Sequence, residues 1–199
     1  MKNKLSFITI VLLISTIKSI AQAPGTFTDA RDGKVYKTVT IGTQTWLAEN
    51  LAFKAASDCW AYDNSQNNVE VYGYLYTWKA AQDACPTGWH LPSDAEWKIL
   101  VDYLGGMGSA GYKLKETDIS HWLSPNEGAT NQSGFTALPG GFSTGDGKFY
   151  YIGKQGYWWS STMYDSYNAY IRHAEYANGM ILQLNYSTLD AFSVRCVKD

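Results

Sequence analysis

The sequence predicts an α+β fold in which two helices pack on a mainly antiparallel sheet with long loops. Two segments, 74–84 and 93–104, carry apolar residues at helical spacing. Six short strand-like segments follow them, separated by turns rich in Gly, Asn or Asp. The 8 Trp and 15 Tyr also favour β-rich structure with aromatic packing. Helices followed by several antiparallel strands define the α+β class.

The first 21 residues have the pattern of a secretory signal peptide. Lys2 and Lys4 precede a short apolar run at 5–14, and small residues follow. We expect cleavage after Ala21, because cleavage after Ala23 would place a proline directly after the scissile bond. The apolar run is too short to cross a bilayer and no later stretch is long enough, so we expect no membrane span. The protein is therefore expected to be secreted or held at the cell surface.

The mature chain is expected to be one acidic domain. Removing residues 1–21 takes away three lysines and no acid, so 13 basic and 18 acidic side chains remain, a balance of 13 − 18 = −5. This charge argues against nucleic acid as a partner. The remaining 199 − 21 = 178 residues suffice for one core. We place the domain at 34–199, after a polar lead-in at 22–33.

The domain begins with a predicted β-hairpin over 34–48. Valine and isoleucine side chains alternate on one side of its first strand, and Gly42-Thr43 turns the chain into a second strand at 44–48. Residues 54–72 are polar and irregular, which predicts a loop.

Two helices are predicted next. In the first, at 74–84, apolar side chains at helical spacing and an Ala-rich end indicate about three turns. The second runs from Ser93 to Leu104, where Ser93 and Glu96 form a capping box and two glycines supply the stop. Each helix shows one apolar face.

A long polar loop and a series of short strands complete the chain. Residues 105–134 are rich in Gly, Ser, Asn and Asp, with a short strand predicted at 112–114. A long ordered loop of this kind is more often functional than an ordinary connection is. The strands that follow are predicted at 135–138, 148–152, 157–161, 169–173, 180–184 and 191–197.

Three cysteines in an exported chain give one pair and one residue left over. We expect the pair to be Cys85, after the first helix, and Cys196, in the last strand, with Cys59 as the free thiol. A bridge across about 110 residues is worth roughly 4 kcal/mol or a little more in the chain-entropy model. It would tie the C-terminus to the middle of the domain.

Six motifs, in one order along the chain, carry a family resemblance. They are I-G-T-Q-T-W-L-A-E-N-L at 41–51, Y-G-Y-L-Y-T-W at 72–78, C-P-T-G-W-H-L-P-S-D-A-E-W at 85–97, G-A-T-N-Q-S-G-F-T-A-L-P-G-G at 128–141, G-Y-W-W-S-S-T at 156–162 and S-V-R-C-V-K-D at 193–199. From about Ala30 to its last residue, the chain resembles the Fibrobacter succinogenes major paralogous domain family of exported bacterial proteins. The resemblance implies a C-type lectin-like fold, in which two helices flank a twisted antiparallel sheet and a long loop carries the variable binding surface. It implies this fold more firmly than any function.

The chain departs from the family pattern at one cysteine. In the family, the cysteine that matches Cys59 commonly has a partner shortly before a Tyr-Gly, where this sequence has Val69. The difference supports pairing Cys85 with Cys196. If Cys59 does pair, an intermolecular bridge is the alternative.

Residue types that carry catalysis or bind zinc have no supporting pattern here. His90, His121 and His173 lack metal-ligand spacing, and no serine stands in a nucleophile motif. Cys59 has no neighbouring cation or helix N-terminus to activate its thiol. The resemblance also brings in the formylglycine-generating enzymes, which need two active-site cysteines, whereas two of the three here are assigned to a bridge. We therefore expect no enzyme activity.

Calcium is the one cofactor that the loops suggest. C-type lectin-like domains often hold it with Asp, Glu and Asn side chains. The long loop offers Asp118, Asn126, Glu127 and Asn131. Neither an EF-hand nor a lectin calcium motif is present, so the ordinary interpretation, in which these side chains form turns, is favoured.

Aromatic side chains are the predicted binding surface. If Tyr157-Trp158-Trp159 is a strand, successive side chains face opposite ways, so one Trp should be buried and the other should reach the surface. The alternative is that both are buried. The candidates for ligand contact are Trp122, Tyr150, Trp158, Tyr164 and Tyr167. Rings beside Asn, Asp and Ser suit carbohydrate or protein recognition.

We expect a secreted, non-catalytic binding or adhesion module for a glycan or a surface protein. The alternative is a structural or assembly protein of the cell envelope.

Overall fold

Two β-sheets and four short helices make up the part of the chain that the computed structural model describes, residues 24–199. The predicted signal peptide and its cleavage site lie outside these residues. The strands are β1 (Gly25–Thr28), β2 (Val35–Ile41), β3 (Gln44–Leu47), β4 (Cys59–Trp60), β5 (Leu75–Thr77), β6 (Trp89–His90), β7 (Phe142–Ser143), β8 (Phe149–Tyr150), β9 (Gln155–Met163), β10 (Asn168–Glu175), β11 (Leu182–Ser187), β12 (Ala191–Ser193) and β13 (Val197–Lys198). The helices are α1 (Gln66–Tyr72), α2 (Trp78–Gln82), α3 (Asp94–Tyr103) and α4 (Ala110–Leu114). The mixed α+β class is confirmed.

The smaller sheet has the strand order β1-β2-β3-β13-β6. Its centre is the predicted hairpin, which is confirmed, since β2 and β3 pair antiparallel from Thr38 opposite Leu47 to Ile41 opposite Gln44. Gly42 has a φ of 62° and allows the tight turn between them. The lead-in contributes β1, which pairs with β2 and widens this sheet.

The larger sheet runs in the order β11-β10-β9-β12-β5-β4, with the β7–β8 hairpin attached to β12. Its neighbours pair antiparallel except β9 and β12, which are parallel. The strands predicted at 148–152, 157–161, 169–173 and 180–184 correspond to β8 through β11, with shifted ends. β11 forms one edge of the sheet.

The last predicted strand, 191–197, is in fact two strands in different sheets. β12 joins the larger sheet and β13 joins the smaller one. Between them, Arg195 and Cys196 are fully buried. Cys196 is bonded to Cys85, so the predicted disulfide is confirmed, and Cys59 is a free cysteine. The bridge spans a sequence separation of 111 residues, which corresponds to about 4–5 kcal/mol in the chain-entropy model.

Helix α3 confirms the helix predicted at 93–104. The Ser93 hydroxyl accepts from the Glu96 backbone N–H, and the Glu96 carboxylate accepts from the Ser93 backbone N–H, which completes the capping box. The helix predicted at 74–84 is wrong over its first half, because Leu75–Thr77 is strand β5, paired with both β4 and β12. Aromatic residues favour such a buried strand, so only α2 remains helical.

Further differences occur where the sequence has little periodicity. The loop predicted at 54–72 contains α1 and β4, and the strand predicted at 112–114 is helix α4, whose Ala, Lys and Leu are good helix formers. The strand predicted at 135–138 is reduced to one bridge between Ala137 and Lys115. None of the helices within residues 24–199 has the length and apolar character that a membrane crossing requires.

The core lies on both sides of β9. Trp159 enters one apolar cluster with Phe192, and Trp158 enters another with Trp97 and Phe135. The Trp97 indole N–H on α3 donates to the Trp159 carbonyl at 3.2 Å, which fixes the helix against the strand. Because successive side chains of a strand point to opposite faces, β9 is covered by core on each face.

Candidate functional site

The tryptophans predicted to contact ligand are in the core. Trp122 and Trp158 are each 1% exposed, so neither ring can meet a ligand at the surface. The indole N–H of Trp122 donates to the Ala137 carbonyl at 3.0 Å, and that of Trp158 donates to a side-chain oxygen at 2.9 Å. Trp159 is buried as well, because β9 has core on both faces. The expectation that Trp122 and Trp158 form a binding surface is therefore corrected.

Tyr164 and Tyr167 are exposed on the turn between β9 and β10. The Asp165 carboxylate holds this turn by accepting hydrogen bonds from the backbone N–H groups of Tyr167 and Asn168, which lower the pKa of Asp165. The Tyr164 ring meets Tyr170 edge-on, with centroids 5.4 Å apart, whereas Tyr167 is 77% exposed. The turn presents two rings to solvent, and ligand contact there stays a prediction.

A larger set of rings surrounds Tyr150. Tyr150 and Tyr151 are 37% and 47% exposed, with centroids 6.0 Å apart. The buried Phe142 contacts both rings, at 5.5 and 6.0 Å. It also contacts Tyr157 at 5.1 Å and Tyr186 at 6.0 Å. We refer to Tyr150, Tyr151, Tyr157 and Tyr186 as the tyrosine face.

The β7–β8 hairpin sets the exposed part of the tyrosine face in place. Gly141 has a φ of 62°, and a Cβ at this position would lie 2.3 Å from the Tyr150 carbonyl oxygen, so glycine is needed for the close approach. Tyr151 has a φ of 66°, a left-handed conformation that costs a non-glycine residue about 1–2 kcal/mol. Its carbonyl accepts from the backbone N–H groups of Lys154 and Gln155, which hold the residue in this conformation.

Polar groups border the tyrosine face. The Tyr157 hydroxyl donates to Gln155 Oε1 at 2.5 Å, and burial raises the pKa of Tyr157, so this hydroxyl stays protonated. One oxygen of Asp190 accepts from the Gly145 backbone N–H at 3.1 Å, and burial raises the pKa of the carboxyl. No hydrogen bond from residues 24–199 reaches its second oxygen. Burial and the Asp190 charge together raise the pKa of Tyr186.

His173 lies beside the tyrosine face with an unsatisfied nitrogen. It is opposite Tyr157 across β9 and β10, and the ring centroids are 4.7 Å apart. The side chain is buried, and its Nδ1 has no hydrogen-bond partner in the described part of the chain. Burial lowers the pKa of His173, so the imidazole is neutral near pH 7. The neutral imidazole that packs on Tyr157 therefore has one nitrogen that could still donate or accept a hydrogen bond.

Sequence reasoning did not relate three further residues to the surface around Tyr150. Tyr186, Asp190 and His173 reach the tyrosine face from other strands and turns, and no spacing in the chain relates them to it. The one available signal is the alternation of apolar and polar residues in 182–187, which marks β11 as a strand with one inward side.

The residues predicted for calcium are held within their own loop. Asn126 Nδ2 donates to two loop carbonyls, one of them that of Asp118 at 2.6 Å. The side chain of Asn131 exchanges two hydrogen bonds with Thr136, and the Glu127 carbonyl accepts from a buried lysine. Asp118 and Asn126 thus lie together while Asn131 is engaged elsewhere. Within residues 24–199, no group of three or more His, Cys, Asp or Glu is arranged for a metal ion, and calcium binding stays a prediction.

His90 is bonded to a carboxylate through each ring nitrogen. Nδ1 is 2.7 Å from Asp199 Oδ1, and Nε2 is 2.8 Å from Glu96 Oε1. Burial opposes protonation, but the two hydrogen bonds outweigh it and raise the pKa of His90. An imidazolium that donates twice has no lone pair for general-base catalysis. His90 therefore links the last residue to the cap of α3.

Cys59 and His121 were the other candidates for chemistry. Cys59 Sγ lies 3.6 Å from the Ala55 carbonyl oxygen, and burial raises the pKa of the thiol, which disfavours the reactive thiolate. His121 Nδ1 is 2.8 Å from a Glu116 carboxylate oxygen. Each residue thus has a local partner that accounts for its position.

Three of the six motifs converge on the buried guanidinium of Arg195. Its Nη2 donates to Asn50 Oδ1 at 2.8 Å and its Nη1 to the Phe135 carbonyl at 2.5 Å. It also donates to the carbonyls of Leu47 and Thr136. Burial lowers the pKa of Arg195 to about 9, so it remains charged at neutral pH. We refer to these five residues as the arginine hub; it builds the framework rather than a ligand site.

The comparisons with known proteins identify a family but no characterised relative. A family model described as the Fibrobacter succinogenes major domain matches residues 39–198, well over half of the chain. The chain therefore belongs to this family. No curated protein and no solved structure matches it.

Proposed function

We propose that this member of the Fibrobacter succinogenes major domain family is a non-catalytic binding or adhesion module whose ligand is a carbohydrate. Binding is assigned to the tyrosine face. The observation that carries the proposal is the pair of half-exposed rings, Tyr150 and Tyr151, in a face whose Tyr186 lies within reach of the Asp190 charge. Export through the predicted signal peptide, to the cell surface or the medium, belongs to the same proposal.

The chemistry of the tyrosine face matches what a sugar needs. Exposed aromatic rings offer flat apolar area for the CH face of a sugar ring at little cost in side-chain entropy. Asp190 has an oxygen free to accept from a hydroxyl, whereas the raised pKa of Tyr186 keeps its hydroxyl as a donor. A sugar hydroxyl both donates and accepts, so this mixture suits it better than a uniformly charged surface would.

We also propose the C-type lectin-like arrangement for the fold. Two features support it: α3 packs on strands of the larger sheet, and a long segment without further named helices or strands follows α4 at 115–134. Calcium bound near Asp118 and Asn126 is a secondary part of this proposal, since those two residues lie together. In such an arrangement the loops, rather than the sheet framework, vary with the ligand.

A glycan array compares the protein with its Tyr150→Ala variant, with and without calcium. We expect the unchanged protein to bind a subset of glycans and the variant to bind them at least about tenfold more weakly, because a half-exposed aromatic anchor is lost. Tyr103→Ala is the matched control, since Tyr103 is an exposed tyrosine on α3. Empty arrays under both conditions, or equal losses from the two variants, would contradict the proposal.

The second candidate function is a structural or assembly protein of the cell envelope. It is favoured by β11, an edge strand of the larger sheet whose Leu182 and Leu184 are only partly buried. An edge of this kind can pair with another chain. Size-exclusion chromatography with light scattering separates the two functions, because assembly requires concentration-dependent self-association, whereas a binding module can remain monomeric.

A further inference from the structure

A second concave site lies on the other face of the larger sheet, between α3 and the β10–β11 pair. This α3 cleft has a volume of about 170 Å³, and its lining includes Asp94, Lys98, Val101, Met107, Arg172 and Gln183. Arg172 and Gln183 are opposite each other on β10 and β11. They alternate with His173 and Leu182, so the cleft and the tyrosine face occupy opposite sides of the sheet.

The floor of the α3 cleft is an organised polar group built on the buried side chain of Arg172. Arg172 is 4% exposed, and its Nη1 lies 2.6 Å from Asp94 Oδ1. The Gln183 amide donates to the same oxygen at 2.9 Å. Asp94 is the first residue of α3, and its backbone N–H donates to the Thr162 hydroxyl at 3.0 Å. Four elements, α3, β9, β10 and β11, therefore hold this group in one geometry before any ligand arrives.

The charges that line the α3 cleft cancel. Arg172 and Lys98 are cations, and Asp94 and Asp102 are anions. Arg172 is paired with Asp94, and Lys98 is paired with Asp102 at 2.5 Å. An anionic ligand would find no unpaired cation here, and a cationic ligand would find no unpaired carboxylate. The cleft therefore favours a neutral ligand.

Unused hydrogen-bonding capacity remains at the mouth of the α3 cleft. Among residues 24–199, no hydrogen bond reaches Asp94 Oδ2 or Gln183 Oε1, so both can accept. In the same cleft, Val101 and Met107 supply apolar wall. The volume is below the ~300–1,000 Å³ of sites for drug-sized ligands, which limits the ligand to one small ring.

We propose that the α3 cleft binds a single neutral sugar unit, with its hydroxyl groups on Asp94 and Gln183 and its CH face against Val101 and Met107. Neighbouring hydroxyls of a sugar can donate to the two free acceptors while others accept from Lys98. This site goes beyond the proposed function, because it is separate from the tyrosine face and either site can exist without the other.

The test is an NMR titration of the purified protein with methyl glycosides of glucose, galactose, mannose and N-acetylglucosamine. At least one should shift the Gln183 side-chain amide and the methyl signals of Val101 and Met107. Gln183→Ala should weaken that binding roughly five- to tenfold, the effect of one lost hydrogen bond. Gln132→Ala, at an exposed glutamine of the long loop, should leave it unchanged. Tyr150→Ala should leave it unchanged as well.

Three results would overturn the α3 cleft as a sugar site. The first is the absence of shifts at these residues with all four neutral glycosides. The second is tighter binding of glucuronate or sulfate than of any neutral glycoside, because the charge balance predicts the reverse. The third is loss of the shifts in Tyr150→Ala, which would assign the sugar to the tyrosine face instead. Thermal melts of each variant distinguish lost binding from lost folding.

Discussion

The arginine hub and the tyrosine face both combine aromatic and polar groups, but they differ in what satisfies the polar groups. At the hub, Arg195 is fully buried and donates to Asn50 and to three backbone carbonyls. At the face, more than a third of Tyr150 and of Tyr151 is in solvent, and Asp190 keeps a free oxygen among the described residues. The hub uses its hydrogen bonds internally, whereas the face leaves an acceptor unused among the described residues.

This difference separates the residues that identify the family from the residues that a ligand would contact. All five residues of the arginine hub lie in the motifs, while Tyr150, Tyr151 and Asp190 lie outside every motif. A buried hydrogen-bond network tolerates few substitutions, because each polar group that loses its partner destabilises the fold. Surface rings on short hairpins can change without loss of the core. The motifs therefore identify a framework, and function has to be read from the surface that it supports.

The largest effect is expected at the hub. Arg195→Met would leave the Phe135 and Thr136 carbonyls without the guanidinium donor, while Asn50 Oδ1 would lose the guanidinium and keep the Trp158 indole N–H. We therefore expect the change to lower the free energy of unfolding by about 3–5 kcal/mol. Tyr150→Ala, at the open face, should lower it by less than about 1.5 kcal/mol. Urea denaturation followed by circular dichroism measures both.

Lys198→Met is the control for Arg195→Met, because it removes a cation from an exposed position three residues further along the chain. Its effect should fall within about 0.5 kcal/mol of zero. If Arg195→Met were no more harmful than this control, the hub would not stabilise the framework and the contrast between the two regions would fail.

A smaller effect on the free energy of unfolding should appear at Tyr151, the residue of the tyrosine face with a left-handed backbone conformation. Because Tyr151 has a φ of 66°, Tyr151→Gly should be about 1 kcal/mol more stable than Tyr151→Ala. At Tyr150, in strand β8, the order should reverse, with Ala more stable than Gly. The four variants can be compared by urea denaturation. If Ala were more stable than Gly at both positions, the backbone at Tyr151 would be unstrained.

The smallest effect is a difference in pH dependence between His173, behind the open face, and His90, near the C-terminus. Burial lowers the pKa of His173 below 6.5, so the stability associated with it is present above pH 6.5 and lost as pH falls through the lowered value. The pKa of His90 is raised above 6.5, so its contribution is full below pH 6.5 and lost as pH rises through the raised value.

Stability measured between pH 5 and pH 8 tests these opposite signs. His173→Gln should reduce the loss of stability on the acid side, and His90→Gln should reduce the loss on the alkaline side. Identical pH profiles for the two variants would show that the two imidazoles do not differ in environment.

Local patterns in the sequence predicted those elements that short-range interactions determine. The capping box of Ser93 and Glu96 starts α3 where expected, because its hydrogen bonds lie within one turn. The hairpin at 34–48 forms around a glycine turn. The disulfide, by contrast, spans 111 residues, and its prediction came from the cysteine count, the positions of the cysteines and the family pattern. The helix predicted at 74–84 failed over 75–77 because pairing of β5 with two distant strands outweighs helical spacing.

The candidate site was predictable only in part. Tyr150 was identified as a ring that could be exposed, and the structure places it at the surface. Trp158 was identified by the same chemistry and is buried, because β9 has a core on each side. Residues such as Asp190 and Gln183 were missed, since their roles depend on which strands become neighbours.

The sequence by itself determined the α+β class, the capped helix, the hairpin, the disulfide and the family, because each depends on local hydrogen bonds, alternation or motifs along the chain. Only the tertiary structure decided which rings are open and which polar groups lack partners. Segment 191–197 shows the reason: it reads as one strand, yet it divides between two sheets and places Arg195 in the core between them. Exposure depends on how layers stack, and no single segment contains that information.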